Sequence, residues 1–173
     1  LNWESPSDLY KSMNDCYLKT IGVEDNYLLG HVAVELSTPL LPKSLLIAQT
    51  SGSLKEKLDL IFRQKVGFGI IGAAMHGRIE TEAELRHKIQ VYQKRNKLAI
   101  LKYDVSLNAM KRILNFVEEY SSHKDGETSP SDFYGGAFWP RYYNEGSGCS
   151  AFAMSLLELI QLLPETADEW RKD

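Results

Sequence analysis

The alternation of apolar and polar positions predicts several β strands along the chain. Residues 27–37 alternate around Val32, Val34 and Leu36, and a proline-containing turn at residues 38–43 separates them from a short apolar run at residues 44–49. This arrangement predicts a β hairpin. Two further apolar runs predict strands at residues 66–74, which are rich in glycine, and at residues 98–105.

Apolar residues spaced three and four positions apart predict helices between these strands. Residues 7–20 and residues 54–64 have short amphipathic patterns, and Leu54, Leu58 and Ile61 share the apolar face of the second. We therefore expect that face to pack against the core. Helices and strands alternate along the chain without an internal repeat.

Three helices in the second half have recognisable N-terminal signals. Thr81 and Glu84 form a capping-box pattern, and Ser106 occupies the N-cap position of the next helix. The last helix begins near Cys149, directly after the glycine-rich residues 146–148. The apolar residues predicted to anchor these helices are Leu85, Ile89 and Tyr92, then Met110, Ile113, Leu114 and Val117, and finally Phe152, Leu156, Leu159 and Leu163.

Two segments between the last helices differ in character. Residues 121–130, SSHKDGETSP, predict a polar loop that adds nothing to the core. Residues 133–143, FYGGAFWPRYY, concentrate aromatic side chains ahead of Cys149. These aromatic residues suit either a substrate groove or a loop that closes the core, and both interpretations stay open.

Composition limits the classes of function. The chain has 173 residues, of which 43% are hydrophobic, which suits a single domain over residues 1–173. The formal net charge of −3 does not favour a nucleic-acid partner. No apolar run approaches the roughly 20 residues that cross a bilayer, so we predict no stable membrane insertion.

The termini and cysteines add little to this picture. The chain opens LNWESPSD, which suits an exported or periplasmic protein whose signal segment is absent, although the compartment stays open. Cys16 and Cys149 are too few for a disulfide framework or a cysteine zinc site. His87 and His123 have no partners at metal-ligand spacing, so we predict neither metal nor cofactor. The oligomeric state is not determined by these patterns.

Cys149 is the candidate nucleophile. A thiol has an ordinary pKa of about 8.5, and the N-terminus of a helix or a neighbouring imidazole lowers that pKa. Backbone N–H groups at the same helix start are also suited to stabilise an oxyanion. The alternatives are a small buried core residue and a disulfide with Cys16.

His31 is the candidate base. It lies in the sequence LLGHVAVELS, on the strand face shared with Glu35. If the hairpin closes at residues 39–42, His31 comes near Gln49, whose amide is able to hold the imidazole in one tautomer. A structural histidine and an ordinary strand-end glutamine are the competing interpretations.

The order of these motifs resembles a known superfamily. The segments GHVAVEL, LAILKYDVSLNAMKRILNFVEEY and GSGCSAF are similar to the circularly permuted branch of the NlpC-type papain-like cysteine hydrolases, over residues 27–163. In that branch the histidine precedes the cysteine, as His31 precedes Cys149.

The resemblance implies an α+β fold, in which an antiparallel papain-like half-barrel packs against helices and a C-terminal helix carries the nucleophile at its start. It implies a thiol-dependent acyl hydrolase or acyltransferase that acts on amide, ester or thioester bonds, with Cys149 as nucleophile, His31 as base and Gln49 as orienting residue. Its substrate would be a cell-wall peptide, a lipid or another acyl compound.

The third member of the predicted triad has two other candidates. Glu35 lies four residues from His31, roughly 13 Å along a strand, which disfavours contact. His76 stands beside Gly77, and we interpret it as a turn residue. The second function class is a binding or interaction module that keeps this fold without turnover.

Overall fold

The structure is a computed structural model that describes residues 31–66, 73, 75–123, 126–135 and 145–162. The chain divides into two compact units, residues 1–31 and residues 32–173. His31 is the one described residue of the first unit, and the described helices and strands all belong to the second. The predicted helix at residues 7–20 and most of the predicted strand at residues 66–74 lie outside the described residues. The single-domain prediction stays a prediction.

The predicted hairpin is present. β1 (Val34–Leu36) pairs antiparallel with β2 (Leu45–Ile47), and Glu35 stands opposite Leu46. The backbone N–H of Leu41 donates to the carbonyl of Thr38 at 3.2 Å, which closes the turn between the strands. The proline-containing turn therefore joins the two strands where the sequence indicates.

A second antiparallel sheet begins directly after the first. β3 (Gln49–Ser51) pairs with β4 (Met75–Ile79), and β4 pairs with β5 (Phe133–Tyr134). Ala48 separates β2 from β3, is fully buried, and accepts a hydrogen bond from the N–H of Glu80 at 2.9 Å. One extended segment thus contributes a strand to each of two small sheets.

His76 lies within β4, so its assignment to a turn is wrong. The neighbouring Gly77 serves close packing instead, because a Cβ atom there would lie 2.7 Å from the carbonyl oxygen of Ser131. Glycine inside a strand often marks a close backbone approach, and Gly77 is such a case.

The predicted apolar face of the first described helix is wrong. α1 (Leu54–Leu58) continues into a π-helical turn at Asp59–Arg63. The exposed fractions of the three residues assigned to the core are 70% for Leu54, 45% for Leu58 and 41% for Ile61. Glu56 and Lys57 are half-buried in their place.

Hydrogen bonds to β4 explain the orientation of α1. The backbone N–H of His76 donates to Glu56 Oε2 at 3.0 Å, and His76 Nδ1 lies 2.8 Å from Glu56 Oε1. The hydroxyl of Ser53 caps the helix by accepting from the N–H of Glu56 at 3.2 Å. These contacts turn the polar face of α1 toward the sheet.

α2 (Glu82–Lys94) begins at the predicted capping box. The hydroxyl of Thr81 accepts from the N–H of Glu84, and the Glu84 carboxylate accepts from the N–H of Thr81 at 2.9 Å. Leu85 is buried and packs against Leu46 of β2. The capping signal and the core contact of this helix are confirmed.

α3 (Leu107–Ser121) and α4 (Cys149–Leu159) enclose the main core together with the hairpin. The hydroxyl of Ser106 caps α3 by accepting from the N–H of Ala109 at 3.2 Å. The ring centroids of Tyr120 and Phe152 lie 5.0 Å apart, which joins the two helices. The buried members of this core are Leu36, Ile47, Met110, Ile113, Val117, Tyr120, Phe152 and Leu156.

The predicted strand at residues 98–105 is wrong. These residues have no regular secondary structure, and the side chains of Ile100 and Leu101 are 79% and 80% exposed. The intrinsic preference of a segment for the β conformation does not form a strand unless another strand offers a partner edge. None of the five strands in the described part of the chain pairs with this segment.

The fold is α+β, with small antiparallel sheets and four α helices within the described residues. Among these described helices, none has both the length and the apolar character to span a membrane. The half-barrel arrangement stays a prediction.

Candidate functional site

Cys149 is the first residue of α4, and Gly148 is its N-cap. The carbonyl of Gly148 accepts the first helical hydrogen bond, from the N–H of Phe152 at 3.0 Å. Cys149 is half-buried, and the hydroxyl oxygen of Ser150 lies 4.0 Å from its sulfur. Cys16, the partner in the disulfide alternative, lies outside the described residues. The first N–H groups of a helix lack acceptors within the helix, so this position suits a developing anion.

The glycine-rich turn before Cys149 is fixed on one side by β5. A Cβ atom on Gly146 would lie 2.0 Å from the carbonyl oxygen of Phe133, which no side chain tolerates. Gly146 is itself buried. The turn therefore packs directly on the backbone of β5, and this contact requires glycine.

A buried hydroxyl pair fixes the other side of the turn. The Ser147 hydroxyl is fully buried and lies 2.9 Å from the hydroxyl of Tyr120. Burial raises the pKa of Tyr120 to about 12, although its hydrogen bonds with Ser147 act in the opposite direction. Tyr120 is consequently neutral at ordinary pH and holds the turn by a neutral hydrogen bond.

The segment predicted as a polar loop also reaches the core at its end. The Ser129 hydroxyl donates to the carbonyl of Tyr120 at 2.9 Å and lies 2.7 Å from the hydroxyl of Ser131. Ser129, Pro130 and Ser131 are all buried. The prediction that residues 121–130 add nothing to the core is thus wrong at this end, because serine hydroxyls enter the interior when hydrogen bonds satisfy them.

Gln49 is completely buried in β3 and binds two backbone carbonyls. Its Nε2 donates to the carbonyl oxygen of Ser131 at 2.8 Å and to that of Phe133 at 3.1 Å. Carbonyl oxygens only accept hydrogen bonds, so these contacts fix which end of the amide is nitrogen. Gly77 allows the arrangement, since a Cβ there would lie 2.6 Å from Nε2.

The Oε1 atom of Gln49 is a buried acceptor that no described group satisfies. Leaving a buried polar atom without a hydrogen bond costs about 1–3 kcal/mol. Gln49 Nε2 and the turn at Gly146 contact the same carbonyl oxygen, that of Phe133. Gln49 and the start of the Cys149 helix are therefore brought together.

Lys57 of α1 interacts electrostatically with Cys149. The ammonium nitrogen of Lys57 is 5.3 Å from the centroid of the Tyr134 ring. Burial lowers the pKa of Lys57, whereas negative charge on Cys149 raises it. Burial and then the charges of Cys149 and Glu80 raise the pKa of Tyr134. Lys57, Tyr134 and Cys149 thus form one electrostatically coupled group.

The remaining predicted site residues are His31, Glu35 and His76. His31 is half-buried in the first unit, so its predicted pairing with Cys149 and with Gln49 stays a prediction. Glu35 is exposed on β1, where its Oε1 accepts from the hydroxyl of Ser44 at 2.8 Å. His76 is exposed and bound to Glu56.

Sequence reasoning did not identify Lys57, Tyr120 and Ser147 as parts of this site. The sequence Gly146-Ser147-Gly148 carried a usable signal, because a small hydroxyl between two glycines suits a tight, hydrogen-bonded turn. Lys57 carried no such signal, since the apolar pattern of residues 54–64 predicted the opposite orientation. Within the aromatic segment, Phe133 is exposed and Tyr134 is half-buried, and residues 136–143 lie outside the described part.

The described residues contain no group of three or more histidine, cysteine, aspartate or glutamate side chains placed to hold a metal ion. No protein-family model, curated protein or solved structure gives a significant match to the chain.

Proposed function

We propose that the protein is a thiol-dependent acyl hydrolase or acyltransferase with a permuted papain-like half-barrel fold. The observation that carries the proposal is the convergence of Gln49 and the Cys149 turn on the carbonyl of Phe133. A half-exposed thiol at a helix start is accessible to a substrate carbonyl. A buried, unsatisfied acceptor close to that helix start suits an imidazole donor.

In this mechanism His31 removes the proton of the Cys149 thiol. The thiolate attacks the carbonyl carbon of an ester, thioester or amide, and the resulting oxyanion is stabilised by the backbone N–H of Cys149. Collapse of the tetrahedral intermediate expels the leaving group, which takes a proton from the imidazolium. Water or another acceptor then attacks the acyl-enzyme and restores the thiol.

The hydrogen bonds of Gln49 leave its amide oxygen available to orient the base. Both N–H groups of its amide are directed at carbonyl oxygens, so only Oε1 is able to contact the base. An acceptor in this position would bind one ring N–H of His31 and leave the other nitrogen unprotonated for the thiol. The role requires the ring to come within about 3 Å of Oε1.

The test compares the Cys16→Ser protein with the Cys16→Ser, Cys149→Ser protein on small ester, thioester and anilide probes. We expect turnover of at least one probe by the first protein and a loss of at least about 100-fold in the second. Intact-mass measurement during turnover should detect one acyl group on Cys149. Equal rates for the two proteins would contradict the proposal, and binding of a peptide or lipid without turnover would favour a binding module.

A further inference from the structure

Lys57 is half-buried on α1, at a position where the apolar pattern of the helix predicted an exposed residue. The leucines at positions 54 and 58 face solvent, whereas Lys57 is half-buried. Lysine is among the residues least often buried, because removing its charge from water is costly. The Lys57 side chain is thereby held partly away from solvent.

Lys57 lies against an aromatic ring. Its ammonium nitrogen lies above the ring of Tyr134, 5.3 Å from the centroid, which is a cation–π geometry. Among the described residues no carboxylate forms a salt bridge with it. Its neighbour Glu56 is instead bound to His76. Within the described part of the chain, the Lys57 ammonium is therefore held beside Tyr134 without a carboxylate partner.

β5 and the Gly146 turn connect the surroundings of Lys57 with Cys149. Tyr134 follows Phe133, whose carbonyl contacts the Gly146 turn. The other charged groups acting on Lys57 and Tyr134 are Lys88 and Glu80, and these two form a salt bridge with each other. Among the described residues, Cys149 is thus the group whose ionisation would place a negative charge near Lys57.

Interaction between two ionisable groups is reciprocal. Negative charge on Cys149 raises the pKa of Lys57, so the Lys57 ammonium in turn favours the ionised form of the Cys149 thiol. A neighbouring lysine is one of the features that make a cysteine reactive.

We propose that Lys57 is a positioning residue that acts through Cys149, its ammonium group favouring the ionised form of the sulfur. The inference rests on the proposed function for its use in acyl transfer, but it concerns the ionisation of the thiol alone. The thiol proton leaves to the base or to solvent, and the Lys57 charge stabilises the sulfur anion that remains. No bond forms between the two side chains.

The experiment follows the rate of iodoacetamide alkylation against pH in a Cys16→Ser background, where Cys149 is the one remaining thiol. Lys57→Met removes the charge and keeps an apolar stem, and Lys57→Gln is a second neutral variant. Lys57→Arg keeps the charge. Lys55→Met is the matched control, because Lys55 is exposed on the same helix. Circular dichroism and thermal unfolding establish that each variant is folded.

We expect both neutral variants to move the alkylation midpoint to higher pH and to slow alkylation near neutrality by about three- to tenfold. Lys57→Arg should retain most of the reactivity, and Lys55→Met should match the parent. Identical profiles for Lys57→Met, Lys57→Gln and Lys55→Met would overturn the inference. Turnover of the ester, thioester and anilide probes is a separate readout. If the parent hydrolyses no probe but the Lys57 variants still change the alkylation profile, the proposed acyl transfer is wrong and the inference about Lys57 stands.

Discussion

Gln49 and Gly146 meet at one backbone oxygen, the carbonyl of Phe133. The amide nitrogen of Gln49 donates to it at 3.1 Å, and a Cβ on Gly146 would lie 2.0 Å from it. The strand that carries a buried amide and the turn that carries the candidate nucleophile are thereby held in a fixed relation. The stability of the site should depend on both residues.

Replacing Gln49 by leucine should lower the free energy of unfolding by about 2–4 kcal/mol, because the carbonyls of Ser131 and Phe133 lose their buried donor. Urea unfolding measures the change. Gln90→Leu, at an exposed position of α2, is the matched control and should change stability by less than about 0.5 kcal/mol. Equal effects at the two positions would contradict the assignment of these hydrogen bonds.

Gly77 and Gly146 should not tolerate a side chain, whereas Gly52 should tolerate one. Gly77→Ala and Gly146→Ala each place a Cβ within 2.7 Å of backbone atoms, and we expect each to destabilise the protein by at least about 2 kcal/mol. At Gly52 the nearest atom lies 3.4 Å from the added Cβ, so Gly52→Ala should cost less than about 1 kcal/mol. Thermal unfolding of the three variants is the measurement. A tolerated Gly146→Ala would show that the turn does not pack on β5.

The hydroxyls of Tyr120 and Ser147 should be energetically coupled. Tyr120→Phe leaves the buried Ser147 hydroxyl without this partner, and Ser147→Ala does the reverse. In the double variant both groups are removed together, so its loss of stability should be smaller than the sum of the single losses by about 1 kcal/mol. Additive losses would exclude a direct hydrogen bond.

The same tyrosine should make stability fall at alkaline pH. Burial raises the pKa of Tyr120 from its ordinary value of 10.0 to about 12, so the folded protein holds this proton more tightly than the unfolded chain. Its contribution is complete below pH about 10 and declines as the pH rises toward about 12. Urea unfolding across this range should show a weaker dependence in Tyr120→Phe, whereas Tyr103→Phe, at an exposed position, should behave like the parent.

Protonation of Glu84 should lower the free energy of unfolding at acidic pH. Hydrogen bonds from Arg78, and then from Thr81, lower the pKa of Glu84 from 4.5 to about 2. Because the folded state releases this proton more readily, the contribution is complete above pH about 4.5 and is lost as the pH falls toward about 2. Glu84→Gln should flatten the acid limb of a urea-midpoint profile. Glu118→Gln, at an exposed position of α3, should leave it unchanged.

Local signals in the sequence predicted the local features of the structure. The capping box of Thr81 and Glu84 involves residues three positions apart, and the start of α4 at Cys149 follows from adjacent glycines. Features that depend on distant residues were not predictable in this way. Lys57 is half-buried because the contact of Glu56 with His76 binds α1 to β4. The apolar pattern of α1 gives no indication of this contact.

The same distinction applies to the strands. The short apolar run at residues 44–49 has its partner strand just before it in the chain, across a proline-containing turn, so the local sequence was sufficient to predict a hairpin. Residues 98–105 have an equally apolar composition, yet no described strand lies alongside them. The contact of Gln49 with Phe133 joins residues far apart in sequence, and a single sequence carries no record of it.

The shared atom at Phe133 belongs to the backbone, and this has a consequence for how the site would vary among related sequences. Any residue at position 133 offers the same oxygen, and Phe133 is partly exposed, so its side chain is not what Gln49 and Gly146 require. Positions 49, 77 and 146 should therefore be constrained together while position 133 changes. A search for covarying side-chain pairs would pass over the atom on which all three depend.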